Sequence, residues 1–343
     1  MAISKPKTEF AAALNQICAE RGIEPEVVLK TIQEAMLAAY KRDFGLKEEF
    51  KYEAKVDPES GETHLYAWKE GEKVETKKEV TPPGFGRIAA QVAKQVLLQK
   101  IREAEKSAIL EEYSKRVGTL VNGMVLRFDG PNIIVDIGKG EGIMPPSEQI
   151  RGEKYSPNQR LTFLIKEIQE TPKGRQVIVS RADEQLVVAL FRREVPEVAS
   201  GAVQVKKVAR ESGSRTKIAV LSTQAGVDPV GSCVGQKGVR VQRVIDELGG
   251  EKIDIIQYSD DPVKFIAAAL SPAEKMKIEV DEKKKVAFIY VPENQLSLAI
   301  GKAGQNARLA AKLTGFKIEI KEEDKNKIRQ TERLRPKKLA KKR

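Results

Sequence analysis

Apolar and polar positions along the chain change period several times, and each change predicts a different kind of element. Phe10, Leu14 and Ile17 share one face of a first amphipathic helix, and Leu29, Ile32, Met36 and Ala39 mark a second. Pro25 opens that second helix, where a missing N–H costs little. Alternation over Phe50 to Val56 and Thr63 to Trp68, around Asp57-Pro58-Glu59-Ser60-Gly61, predicts a hairpin with turn chemistry. After Pro82-Pro83-Gly84 a stripe of Ile88, Val92, Val96 or Leu97, Ile101, Ala104 and Ala108 predicts a helix to Arg116, about 45 Å long at 1.5 Å per residue. The stripe reads as core rather than as a binding face.

From Gly118 the period shortens. Thr119–Phe128, Ile133–Ile137, Gly142–Met144, Arg160–Glu170 and Val177–Ser180 read as five short strands punctuated by Gly, Pro and Asn, the pattern of a small closed barrel of the OB type. Leu186 to Glu197 reads as a linking helix, and strands then alternate with helices to Ile320. The predicted fold class is multidomain α+β. The expected boundaries are 1–116 (helices and hairpin), 117–182 (barrel), 183–200 (linker helix), 201–262 and 263–322 (two α/β units) and 323–343, a basic tail expected to be disordered alone.

The two α/β units contain an internal repeat. Gly235-Gln236-Lys237-Gly238 is followed by Leu248, Gly250 and Lys252-Ile253-Asp254-Ile255, and Gly301-Lys302-Ala303-Gly304 by Leu313, Gly315 and Lys317-Ile318-Glu319-Ile320. In each copy an apolar helix leads into GxxG, a second helix follows, and a strand closes the unit. Val241, Val244, Ile245 and Leu248 mark the buried face of that second helix in the first copy. Arg240 and Arg243 lie on the opposite face, and Arg308 and Lys312 take that role in the second. Two glycines two residues apart let backbone turn tightly and approach a phosphate without a Cβ in the way. Amides at the start of the following helix then face the phosphate, with Lys237 or Lys302 adding charge, as KH domains grip four nucleotides of single strand. A lone GxxG is a common tight turn between helices, whereas two copies in matching contexts point to RNA. Neither is a nucleotide-binding P-loop, because Leu296 stands where the first glycine is required and Ala303 where Ser or Thr is required.

Charge agrees with a polyanionic ligand. The chain of 343 residues has net charge +12, with residues 1–116 balanced, 117–320 at +5 and 321–343 at +7. Much enzyme chemistry is excluded. The single histidine, His64, falls in the hairpin and reads as an ordinary surface residue, and Cys18 and Cys233 are too far apart in sequence for a clustered zinc site. No segment approaches the length of an apolar membrane span, and the start MAISKPKTEF has no signal-peptide pattern, so the expectation is a soluble cytoplasmic protein without metal or cofactor.

With these residues in view, Arg210 to Ile256, including VDPVGSCVGQKGVRVQ and GGEKIDII, resembles the first KH domain of the NusA family of bacterial transcription factors. LSLAIGKAGQNARLAAKLTGFKIEI from Leu296 resembles the second, both of the prokaryotic type II. The segments IIVDIGKGEGIMPPSEQI and VSRADEQLVVALFRREVPEV resemble the family's S1 barrel and its link to the KH pair. FGRIAAQVAKQVLLQKIREAE resembles the end of its polymerase-binding domain.

The resemblance implies a monomeric, non-enzymatic factor that modulates pausing, intrinsic termination and antitermination. Residues 1–116 would bind the DNA-dependent RNA polymerase core, the rest would form one rigid arm along nascent single-stranded RNA, and other antitermination factors would join. It transfers positions 235–238 and 301–304 as RNA contacts, with Gln305, Asn306 and Arg308 as neighbours.

Two departures stand out. Phe128 is the only aromatic of the barrel before Tyr155, so a stacking platform there is not expected, and Phe128 reads as core in preference to RNA contact. Some members continue into acidic repeats, whereas this sequence ends basic, so autoinhibition by such repeats is not expected. A polynucleotide phosphorylase, which also joins KH and S1 modules, would need a large catalytic core and the opposite domain order. A ribosome-associated structural protein would not explain the polymerase-like first segment.

Overall fold

The computed structural model describes residues 9–21, 24–47, 49–69, 77–171 and 174–322, and the tail expected at 323–343 lies outside them. Two compact units meet between Glu112 and Tyr113.

In the first unit, α1 (Glu9–Arg21) and α2 (Pro25–Phe44) precede a hairpin of β1 (Phe50–Val56) and β2 (Thr63–Lys69), edged by β3 (Lys78–Glu79). The hairpin turn is held by Asp57, whose Oδ1 accepts from the amides of Glu59 at 2.7 Å and Ser60 at 3.1 Å, the Asx chemistry its sequence called for. Leu14, Val28, Ile32, Met36, Ala54, Leu65, Phe85 and Ala89 form the core, while the side chain of Ile17 is outside the described set. The long helix α3 (Phe85–Ser114) buries Phe85, Ala89, Ala93 and Val96 on its first half. Ala108 is exposed, so the predicted stripe serves as core only part of the way. His64 is a surface residue whose Nδ1 lies 2.8 Å from Glu79, which raises its pKa.

The second unit begins with a closed barrel of β4 (Leu120–Asp129), β5 (Asn132–Asp136), β6 (Glu141–Met144), β7 (Arg160–Thr171) and β8 (Gly174–Ser180), ordered β4-β5-β6-β8-β7. Gly123 and Gly142 have no room for a side chain, since a Cβ would lie 2.6 Å from Val135 and 2.8 Å from Val179. Phe128 corrects the sequence reading: it sits one residue from the end of β4, where the last three positions of the strand are all exposed, and 51% of its own surface faces solvent.

The first α/β unit comprises α4 (Glu184–Glu194), α5 (Pro196–Ala199), β9 (Val203–Glu211), β10 (Arg215–Ser222), α6 (Pro229–Val234), α7 (Val239–Glu247) and β11 (Lys252–Gln257). Leu186, Val187, Leu190 and Phe191 on α4 pack with Ile218, Val220, Val244 and Leu248, so the helix read as a linker fills the core of this unit. Leu164 of the barrel joins the same cluster. Arg181, 1% exposed, locks the junction by donating to Glu153, to the Thr162 carbonyl at 3.0 Å and to the Glu247 carbonyl at 3.1 Å.

The second α/β unit repeats the pattern with α8 (Pro262–Ala269), β12 (Lys277–Asp281), β13 (Val286–Val291), α9 (Glu293–Ile300), α10 (Gln305–Thr314) and β14 (Lys317–Glu322). Each three-stranded sheet has one antiparallel and one parallel pair, β9-β10 with β10-β11 and β12-β13 with β13-β14. Ala209, Ala219 and Ile256 of the first sheet share a core with Phe265, Ile266 and Leu309 of the second unit. Barrel and both α/β units therefore form one continuously packed body.

Candidate nucleic-acid interface

The two glycine loops have the same backbone. Gly235 and Gly301 have φ/ψ of 76°/173° and 74°/173°, a region open essentially to glycine alone. Lys237 at 52°/25° and Ala303 at 51°/30° are left-handed, and Gly238 and Gly304 follow at 76°/11° and 73°/12°. In both loops the last glycine amide donates to the carbonyl of the first at 3.1 Å. The repeated pattern thus produces a repeated turn.

Three helix starts in this unit are closed by aspartate, while α5 and α9 begin after Val195 and Pro292 with no side-chain cap. Asp183 caps α4, Asp228 caps α6 and Asp261 caps α8, each accepting an amide of the first turn. By contrast α7 and α10 begin at Gly238 and Gly304, with no side-chain cap. Their first N–H groups are nonetheless bonded within the loop, Gly238 and Gly304 to the carbonyls of Gly235 and Gly301 and Val239 and Gln305 to those of Gln236 and Lys302. These helix starts therefore offer an anion the positive end of the dipole rather than the amides expected from the sequence. Gln236, Lys237, Lys302 and Ala303 are exposed beside them.

Of the predicted side chains, some face solvent and others hold the loop. Arg243 is exposed, with Glu194 at 3.6 Å. Arg240 is half-buried and braces the first loop, its Nη1 donating to the Ser232 carbonyl at 2.7 Å and to Glu197 at 2.9 Å. Asn306, the corresponding residue of the second loop, is 3% exposed, and its Nδ2 donates to the carbonyls of Leu270, Leu298 and Ala299 at 3.0–3.2 Å. Ser232 and Leu298 each lie three residues before their loop's first glycine, so the two braces grip the same point with different chemistry. The absence of a Cβ on the first glycine makes room for them: a Cβ on Gly235 would come 2.7 Å from Arg240 Cγ, and one on Gly301 2.7 Å from Asn306 Cβ and 2.9 Å from its backbone N.

Gln305 and Arg308 reach the first α/β unit. Gln305 donates to Ser214 at 2.7 Å and Glu211 at 2.9 Å, and Arg308 Nε donates to Glu211 at 2.6 Å. The Nη1 of Arg308 also donates to the Ala303 carbonyl at 3.0 Å, tying the second loop to the unit before it. Arg308, then Gln305, hold the Glu211 carboxyl below its ordinary pKa against the opposing effect of burial.

Sequence reasoning missed Glu211 and Ser214, whose partners are over ninety residues away. It also missed three apolar side chains left in solvent beside the loops: Val239 (50% exposed), Leu298 (45%) and Ile300. The signal was present for two of them, since Val239 and Ile300 abut a GxxG, and Leu298 lies three residues before one. Among the described residues no group of three or more His, Cys, Asp or Glu could hold a metal, and no helix is long and apolar enough to cross a membrane.

These features define a modular protein in which an OB-type barrel and a tandem KH pair are packed as one body. The comparisons with known proteins are more specific. Family models for the NusA N-terminal domain match residues 9–81 and 68–107, that for the NusA-like first KH domain residues 181–258, and that for the NusA-like second KH domain residues 262–328. Proteins named transcription termination/antitermination protein NusA are similar along nearly the whole chain. That of Halalkalibacterium halodurans is 45% identical, over 92% of this chain and 88% of its own. Those of Bacillus subtilis and Thermus thermophilus are 44% and 40% identical over 92% of this chain and 91% and 90% of theirs. The chain belongs to the NusA family.

Proposed function

We propose that this protein is a transcription elongation factor that binds the RNA polymerase core through residues 1–116 and nascent single-stranded RNA through the barrel and KH pair. In this reading it modulates pausing, intrinsic termination and antitermination, catalyses no reaction, and works in the cytoplasm as a monomer with other antitermination factors. The observation that carries the reading is the pair of superimposable glycine loops, each opening an uncapped helix N-terminus, on one packed body. A phosphate group there gains the positive end of the helix dipole and the charge of Lys237 or Lys302 at once. Gln236, Lys237, Lys302 and Ala303 flank the phosphates, and Val239, Leu298 and Ile300 offer apolar surface to bases. Arg240 and Asn306 act by holding the loops. The family's name supports the transcriptional setting. In the first unit, Phe44 stacks on Tyr40 at 5.3 Å and stays exposed at the end of α2, an apolar contact suited to a protein partner.

In vitro transcription on a template carrying a hairpin pause and an intrinsic terminator tests the proposal. Added protein is expected to lengthen the pause and change termination efficiency, and residues 1–116 alone to retain the pause effect. Unchanged dwell times and termination at saturating full-length protein would contradict it.

A further inference from the structure

The two KH sheets differ in what covers them. In the first, Ile218 and Val220 of β10 face that unit's own helices, while Ala219 on the opposite face packs under the second unit. Lys217, also on that opposite face, is fully buried and donates to Asp254 at 3.0 Å and the Ser271 carbonyl at 3.1 Å. Helices α8 and α10 therefore lie across the back of the first sheet. In the second sheet Ala287, Ile289 and Val291 of β13 face the helices, but Phe288 and Tyr290 on the back belong to no core cluster and are partly exposed. By register, Lys217 and Ala219 opposite Asp254 and Ile256 correspond to Phe288 and Tyr290 opposite Glu319 and Lys321.

The substitution of chemistry is informative. Ala219 is small enough for a helix to approach, whereas two aromatic rings on the central strand bar the same packing. Lysines surround the rings: Lys277 Nζ lies 5.9 Å from the Tyr290 centroid and Lys321 Nζ 5.2 Å from that of Phe288. The carboxylates on this face have lysine partners, Glu279 with Lys277 at 3.0 Å, Glu319 with Lys317 at 2.8 Å and Asp281 with Lys284 of the β12–β13 turn at 3.9 Å. The β12–β13 turn adds Lys283, Lys284 and Lys285 against Glu282, and residues 321–343, net +7, continue from β14.

We propose that the back of the second KH sheet is a further RNA site, a platform on which unpaired bases stack against Phe288 and Tyr290 while Lys277, Lys317 and Lys321 meet the phosphates. Rings at alternate positions of one strand stand about 6.8 Å apart, so each takes its own base. Every base has a π-face, so the platform binds single strands without a sequence requirement. This rests on the reading that the chain binds RNA, and extends it to a surface on the opposite side of the sheet from the helices.

The test uses the full chain and two unstructured adenine-rich RNAs, one of about 8 nucleotides, enough for both loops at four each, and one of about 20. Wild type should bind the longer strand more tightly. Phe288→Ala and Tyr290→Ala should each weaken the longer strand by about tenfold and leave the shorter unchanged, with Phe288→Tyr and Tyr290→Phe retaining affinity. RNA containing 4-thiouridine should cross-link to the peptide holding Tyr290. Undiminished binding of the longer strand by a double alanine variant that melts as wild type does would overturn the platform alone. So would lysine cross-links from Lys337 and Lys338 to Lys277 and Lys321 that RNA fails to displace, which would assign the face to the chain's own end. Failure of wild type to bind either RNA would overturn the underlying reading with it.

Discussion

The first and second glycine loops have backbone angles within a few degrees of each other, yet almost no side chain around them is shared. One is braced by a half-buried arginine in an ion pair with Glu197, the other by a buried asparagine amide on three carbonyls. Lysine is the third residue of the first loop and the second of the other. The first loop is tied through Arg240 to Glu197 within its own unit, while the second is tied through Arg308 to Glu211 in the preceding unit. The comparison teaches that the glycines set the conformation, and that bracing and charge can be supplied by whichever residues reach the same points.

The sharpest break in that equivalence should come from adding a methyl group to the first glycine. Gly301→Ala forces a glycine-only conformation and pushes a Cβ against the Asn306 backbone, which cannot rotate away, so a loss of about 3 kcal/mol in urea unfolding is expected. Gly235→Ala meets the Arg240 side chain, which can swing aside, and should cost about 2 kcal/mol. Equal losses would show that the braces are interchangeable in rigidity as well as in place.

Removing the braces should give a smaller effect with the same asymmetry. Asn306→Ala leaves buried carbonyls without their shared donor and is expected to cost about 2 kcal/mol, against about 1 kcal/mol for Arg240→Ala, whose ion pair is partly solvated. Thermal unfolding of both variants beside wild type measures the difference. A greater loss for Arg240→Ala would reverse the assignment.

The tie between units should show the smallest effect, and through pH. Arg308 depresses the Glu211 pKa, so the pair's contribution is complete above the unfolded carboxylate value and disappears as pH falls through the lower folded one. Glu211→Gln should therefore be slightly less stable than wild type at neutral pH, with the gap closing in acid. Parallel stability curves from neutral pH through the acid range would contradict that linkage.

Much of this architecture could be read from local pattern, and the residues that could not were those whose partners are distant. The barrel strands were legible because Gly, Pro and Asn punctuate them. The glycine loops were legible because the motif occurs twice and φ above zero restricts residue choice. The apolar face of α4 was visible, but its partners Ile218, Val220 and Val244 lie well down the chain, so the helix looked like a link. Asn306 and Arg240 were assigned to RNA because polar residues beside a phosphate loop usually face outward, and burial against carbonyls has no sequence signature. Phe128 was assigned to the core on hydrophobicity, although its position at a strand end left it in solvent. The exposed back of the second sheet became visible only when the covered sheet was set beside it.

The claim beneath the whole account is that both loops hold phosphates of one strand. Binding of a single-stranded RNA spanning both loops, titrated across salt concentrations, tests it in the Gln236→Asp/Lys237→Asp and Lys302→Asp/Ala303→Asp variants. Lys237 and Ala303 already adopt the left-handed conformation that aspartate tolerates, so the fold should survive. Each variant should bind more weakly than wild type, and the slope of log K against log salt should flatten by about 0.7 for every phosphate that the loops no longer hold. Wild-type affinity and an unchanged slope in both variants would contradict the account.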